Sequence, residues 1–220
     1  MNEIIVKRAT NKHQKEARRD AILVAARALF MEAGFFDVNM ATIAKRSGLA
    51  KGTVYLYFKT KEEIFLTLST EEFENWLSEF DQALTKAGTD LEIPDFLEIL
   101  IETLRERKVM QRLQSLLHLV LEKNISYDQA FAFKQNLKER SEGTSRLVEQ
   151  ALPFLTEGQG IAVLTLLHCL VVGWGQMSDP SPVLAEVLEH PEMSPFRFDF
   201  ENNLRESMTY TLLGMKSAAE

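Results

Sequence analysis

Residues 39–61 read NMATIAKRSGLAKGTVYLYFKTK, and this stretch decides the fold. Asn39 has the short polar side chain that suits a helix N-cap, and Met40, Ile43, Ala44 and Ser47 then recur on one helical face. Gly48 supplies the positive φ that a helix stop needs. Leu49 turns back to the core. The spacing predicts a second helix from Ala50 to Phe58, with Val54 and Phe58 one turn apart on its inner face. Its outer face carries Lys51, Gly52, Thr53, Tyr55 and Tyr57. Two short helices around one glycine, the second polar and aromatic on its outside, make a helix-turn-helix.

Upstream, the pattern predicts a first helix from Asn11 to Ala33 with Ile22, Ala25, Ala26, Leu29 and Phe30 as its buried stripe. Gly34 ends it, and Phe35 and Val38 are expected to pack under the helix-turn-helix, completing a three-helix head. Residues 1–9 read as a loose arm, with Lys7, Arg8, Lys12, Lys15, Arg18 and Arg19 on it or on the first helix. Charge is divided unevenly. Residues 1–61 hold 12 Lys and Arg against 5 Asp and Glu, whereas residues 62–220 hold 13 against 27, so a net charge of −7 conceals a head of +7. Cationic side chains supply most non-specific affinity for a duplex by neutralising phosphates.

Downstream, Thr60 and Glu63 form a capping box for a helix that runs to about Ala83 and links the head, residues 1–61, to a body, residues 62–220. The body reads as amphipathic helices broken at Pro94, at Arg105–Lys108, at Ser126 and at Pro153. Long helical periodicity dominates and strand-like alternation is scarce, so the fold class is all-α: a three-helix DNA-binding head plus a larger helical bundle. Glu157–Met177 is apolar all round, which predicts burial on both sides, one covered by its own subunit and the other by a partner. A final helix is expected over Asp199–Met215.

Other chemistry is hard to find. The four histidines, His13, His118, His168 and His190, show no metal-site spacing, and adjacent His168 and Cys169 diverge by about 100° on a helix. No phosphate loop, dinucleotide fingerprint or nucleophile elbow is present, so neither enzyme nor cofactor is expected. No apolar run reaches the ~18 residues of a membrane span, and the charged N-terminus lacks a signal core. The single Cys169 fits a reducing cytoplasm.

The run IAKRSGLAKGTVYLYFKTKEEIF closely resembles the DNA-binding segment of the TetR family of transcriptional regulators. Ile43-Ala44, Gly48, Lys51-Gly52-Thr53, Tyr55, Tyr57-Phe58 and Lys61-Glu62-Glu63 carry the match, which reaches upstream to Ala28-Leu29-Phe30, Gly34-Phe35 and Val38. One departure is Ala50, a poor N-cap where the family has Ser or Thr. The resemblance implies a cytoplasmic homodimer that binds a palindromic double-stranded operator, with Lys51, Gly52, Thr53 and Tyr55 in the major groove. Tyr57 and Lys61 are expected on the phosphate backbone, with Asn39 and Thr42 as secondary contacts; the arm would touch phosphate or minor groove. It implies a four-helix interface, assigned to Ile161, Leu164, His168, Val171, Leu204, Met208 and Leu212. It also implies a cavity for a small hydrophobic or aromatic effector, lined by Phe65, Trp76, Phe96, Leu100, Leu116, His118, Phe133 and Trp174. The alternative is a non-inducible DNA-binding or protein-interaction protein without a pocket.

Overall fold

A computed structural model describes the backbone of residues 2–219 and the side chains of residues 13–219. Among the described residues all regular structure is helical, in the order α1 (Asn2–Asp37), α2 (Met40–Ser47), α3 (Lys51–Tyr55), α4 (Lys61–Ala87), α5 (Ile93–Arg105), α6 (Lys108–Leu116), α7 (Tyr127–Ala151), α8 (Gln159–Met177), α9 (Pro182–Leu188) and α10 (Phe200–Ala219). A π-helical turn over Leu117–Leu121 and a 3-10 turn over Glu122–Asn124 prolong α6, and a second 3-10 segment spans Pro191–Phe196. The expected arm is helical from Asn2, and α1 loses helical dihedrals only at Gly34. The side chains of Lys7, Arg8 and Lys12 lie outside the described residues.

The chain forms two compact units, which divide at Leu68 within α4 rather than at Lys61. Unit one is residues 1–68 together with 120–125. Its core is built by Ile22, Ala26 and Phe30 of α1, Val38, Ile43 of α2, Val54 of α3, and Ile64 and Phe65 of α4, all buried. Phe65 meets Phe30 and Phe35 at ring centroid distances of 5.4 and 5.1 Å. These contacts place the first two turns of α4 in the head core.

The second unit comprises residues 69–119 and 126–220. Its core joins Trp76, Leu77 and Phe80 of α4, Phe96, Leu97 and Leu100 of α5, Val148 of α7, Val163 and Leu167 of α8, and Leu204, Met208 and Leu212 of α10. Trp76 keeps its polar edge satisfied by donating from Nε1 to Thr103 Oγ1 at 3.3 Å. Ser126 and Gln129 form a capping box that starts α7.

α8 has one side covered within its own chain, as expected for a single subunit. It is 19 residues long and apolar enough to cross a bilayer by length and composition. Within the unit it buries one stripe only, Gly160, Val163, Leu167 and Val171. The opposite stripe of Ala162, Leu166, Cys169 and Gln176 is exposed. The start of α8 lies tight against α7: a Cβ at Gly160 would stand 2.4 Å from the Ser145 carbonyl oxygen. Glu149 Oε1 accepts from the backbone N–H groups of Gly158 and Gly160, each at 2.9 Å, so a carboxylate from α7 caps the positive end of α8. Gly160→Ala is therefore expected to destabilise the body by about 2–3 kcal/mol, because backbone cannot yield as a side chain does. Urea denaturation of the variant measures this.

Candidate functional site

Asn39 extends its backbone to φ −140° and turns its side chain onto α2, where Oδ1 accepts from the N–H groups of Ala41 at 3.0 Å and Thr42 at 3.1 Å. Thr42 Oγ1 accepts from the Asn39 N–H at 3.1 Å and donates to the Asn39 carbonyl at 2.8 Å. Both side chains expected near DNA are thus occupied in the cap of α2. Gly48 ends the helix at φ 69°, ψ 19°, and the N–H groups of Gly48 and Leu49 return to carbonyls of α2. This fixes the corner between the two helices.

Ala50 offers no side-chain cap to α3; only its carbonyl serves, accepting from Thr53 at 2.9 Å and Val54 at 3.2 Å. α3 is accordingly shorter than expected. It ends at Tyr55, and the chain tightens through i to i−3 bonds from Leu56 to Thr53 and from Tyr57 to Val54. Val54 and Phe58 are buried, as the spacing requires, and hold α3 against the head core. Lys51, Gly52, Tyr55 and Leu56 are exposed, while Thr53 and Tyr57 are half-buried. The Lys51 ammonium lies 6.0 Å from the Tyr55 ring centroid, so the two share one outward face.

Leu56 was not among the expected contacts, yet it is 83% exposed, more than any other large apolar residue described in the head. The signal was available: Leu56 falls off the Val54–Phe58 stripe, so it cannot face the core while they do.

Lys61 makes contacts within the head that the sequence did not show. Its Nζ donates to the carbonyls of Phe35 and Val38, both at 2.9 Å, and lies 4.2 Å from the Phe35 ring centroid. It clasps the link after α1 to the first turn of α4. Two carbonyls and an aromatic face already hold the ammonium. The start of α4 is further secured by Thr60 Oγ1, which accepts from the Glu63 N–H at 3.2 Å, and by Glu63 Oε2, which accepts from the Lys59 N–H at 2.7 Å. Arg46 of α2 forms a two-point ion pair with Glu32 of α1. Lys15 and Arg18 are exposed on α1, and Arg19 lies 6.0 Å from the Phe58 ring centroid.

The body holds a cavity of about 500 Å³ bounded by α4, α5, α6, the π-helical turn, α7 and α8. Trp76, His118 and Phe133 line it. Phe96 and Leu100 instead fill the core, Phe65 belongs to the head, and Leu116 is absent from the lining. Trp174 is half-buried beside α10, donating to Ser207 Oγ at 3.0 Å. Of the residues assigned to a subunit interface, Ile161 is 37% exposed, Leu164 and His168 are half-buried and the others are buried. Ile161, Leu164, His168 and Val171 line the cavity, and Leu204, Met208 and Leu212 are fully buried in the core of their own chain. His168 Nε2 lies 3.1 Å from His118 Nε2.

A helix-turn-helix with an outward polar face, and a helical body holding an apolar cavity, define a one-component regulator of transcription. Comparison with known proteins agrees with that class. Residues 22–68 match the profile "Bacterial regulatory proteins, tetR family", and residues 70–219, more than half of the chain, match "Tetracyclin repressor-like, C-terminal domain". The chain belongs to the TetR family.

It is 33% identical over 76 residues to the fatty acid metabolism regulator protein of Bacillus subtilis, covering 34% of this chain and 39% of that protein. It is 34% identical over 74 residues to the regulator QacR of Staphylococcus aureus, covering 34% and 39%. The chain spans less than half the length of the curated relatives it matches. The fatty acid degradation regulator FadR of Bacillus halodurans superposes with a TM-score of 0.58 at 18% identity, over 90% of this chain and 95% of that one. A putative regulator from Rhodococcus gives 0.63 at 15% identity, over 89% and 94%. These two likenesses concern the fold.

Lys61→Met is expected to lower the stability of the head by about 1–2 kcal/mol, since two carbonyls lose their donor. Thermal unfolding reads this, and a slope of duplex affinity against salt that stays at the wild-type value would separate the clasp from a phosphate contact.

Proposed function

We propose that this protein is a ligand-responsive repressor that binds a palindromic operator as a homodimer, in the cytoplasm and without catalytic activity of its own. The observation that carries the reading is the outward face of α3: Lys51, Gly52, Tyr55 and Leu56 are exposed while Val54 and Phe58 anchor the helix beneath. A helix so held can enter a major groove. Gly52 carries no side chain that would keep the backbone from the groove wall. Lys51 and Thr53 reach base edges, Tyr55 and Tyr57 hydrogen-bond phosphate, and Leu56 offers an apolar contact to a thymine methyl.

A palindrome calls for two heads about 34 Å apart. Support for a partner comes from the apolar face that α8 leaves bare: Leu166 is 43% exposed, with Ala162 and Cys169 on the same stripe. On α10, Tyr210 and Leu213 are 65% and 50% exposed, opposite the buried Leu204, Met208 and Leu212. These faces replace the inward residues as the proposed interface. The cavity supports an effector, which acts only through unequal affinity for operator-competent and operator-incompetent states. The names of the Bacillus relatives place fatty acid metabolism among the processes worth testing first.

Selection from a random duplex pool is expected to enrich an inverted repeat; a pool that stays random refutes the reading. Thr53→Ala is expected to relax preference at one position per half-site by about 1–3 kcal/mol, measured by anisotropy against single-base variants of the selected site. Leu166→Arg is expected to yield a folded monomer in sedimentation with operator affinity lost. A dimer that persists would remove α8 from the interface.

A further inference from the structure

The π-helical turn after α6 places His118 on the cavity wall opposite His168 of α8. The two Nε2 atoms are 3.1 Å apart and the rings meet edge to face at 88°. His118 is exposed and His168 half-buried, so the pair sits where the cavity meets solvent. An Nε2 to Nε2 hydrogen bond requires one ring to donate and the other to accept. With both rings protonated, two N–H donors would face each other and need a common acceptor between them.

The remaining lining says what kind of molecule would bring that acceptor. Phe73, Trp76, Leu117 and Leu164 make an apolar interior. The other charged groups on the wall all come from α7: Lys134, Lys138 and Glu142. α4 adds Ser69 and Thr70, α6 adds Gln114 and α8 adds Thr165, all uncharged. Among the described residues no group of three or more His, Cys, Asp and Glu is gathered to hold a metal ion.

We infer that the His118–His168 pair is the head-group site of the cavity and that it selects an amphipathic carboxylate, whose anionic end parts the two rings while the histidine pair takes up one proton. This deepens the reading of the cavity as the effector site and rests on it. The proton comes from solvent and settles on the ring that had been the acceptor, leaving two donors aimed at one carboxylate. The sign follows from linkage. An anion between the rings favours the charged form, so the added affinity is present below the histidine range for as long as the ligand's carboxylate stays ionised, and it fades as pH rises through that range. Parting the rings also presses on the π-helical turn, a local irregularity of the kind found at functional sites.

The test uses the full-length protein free of DNA, in EDTA. Tryptophan fluorescence reports binding, since Trp76 lines the cavity and Trp174 does not. The probes are dodecanoate, its methyl ester and dodecylamine. Dodecanoate is expected to bind about fivefold tighter at pH 6 than at pH 8. The ester is expected to show no such slope, and the amine to bind more weakly than either. The double variant His118→Gln with His168→Gln, which keeps Lys134, Lys138 and Glu142, is expected to lose the slope while holding the ester as before. Equal dodecanoate affinity at the two pH values overturns the inference, as does a slope that survives in the variant, or no binding of any probe. The wild-type comparison of acid with ester decides the matter even if the variant fails to fold. Operator release by dodecanoate is scored separately, so binding with this slope but without release would count against the regulatory reading and leave the head-group site standing.

Discussion

One helix is shared by two hydrophobic cores. α4 runs unbroken from Lys61 to Ala87, about 40 Å at the rise of an α-helix. Ile64 and Phe65 are buried among the aromatic side chains of the head, and Trp76, Leu77 and Phe80 are buried in the body. Neither core can be assembled without it. Its first turn is secured with unusual care for an exposed junction. Lys61 holds the Phe35 and Val38 carbonyls, Thr60 caps, and Glu63 reaches back to the Lys59 N–H.

The head shows how a short recognition element can be positioned with little stability of its own. α3 has five residues and an N-cap that contributes no side chain. In isolation it would not form, because helix nucleation costs more than one turn returns. Its shape comes from its neighbours: the Asn39–Thr42 cap and the left-handed Gly48 fix the corner before it, and Val54 and Phe58 seat it on the core. The outward residues are therefore free of structural duty, and their chemistry can serve sequence recognition.

In the body, the polar exception matters more than the apolar rule. A cavity walled by Phe73, Trp76 and Leu164 would accept many hydrophobic shapes with little preference. The two imidazoles brought together by the π-helical turn and α8 put paired polar nitrogens on that wall. The same turn continues into Val120–Ile125, which clusters with the head rather than with the body. Like α4, that stretch of chain leaves one compact unit and joins the other.

By itself, the sequence determined the all-α class, the helix-turn-helix with its Gly48 corner, the inner pair Val54 and Phe58, and most helix boundaries, since caps, glycines and periodicity are local properties. It did not determine which face of α8 points inward, because a helix apolar all round has no amphipathic signal to read. Ile161, Leu164, His168 and Val171, expected against a partner, line a cavity, with Ile161 still 37% exposed, while Leu166 and Cys169 face outward. For a related reason, a lysine beside a recognition helix reads from sequence as a phosphate contact, and only tertiary structure brings the carbonyls of Phe35 and Val38 to the Lys61 ammonium. The meeting of His118 with His168, 50 residues apart in the chain, was likewise decided by tertiary structure. Local chemistry fixes where helices start and stop; only packing between segments distant in the chain fixes what each face meets.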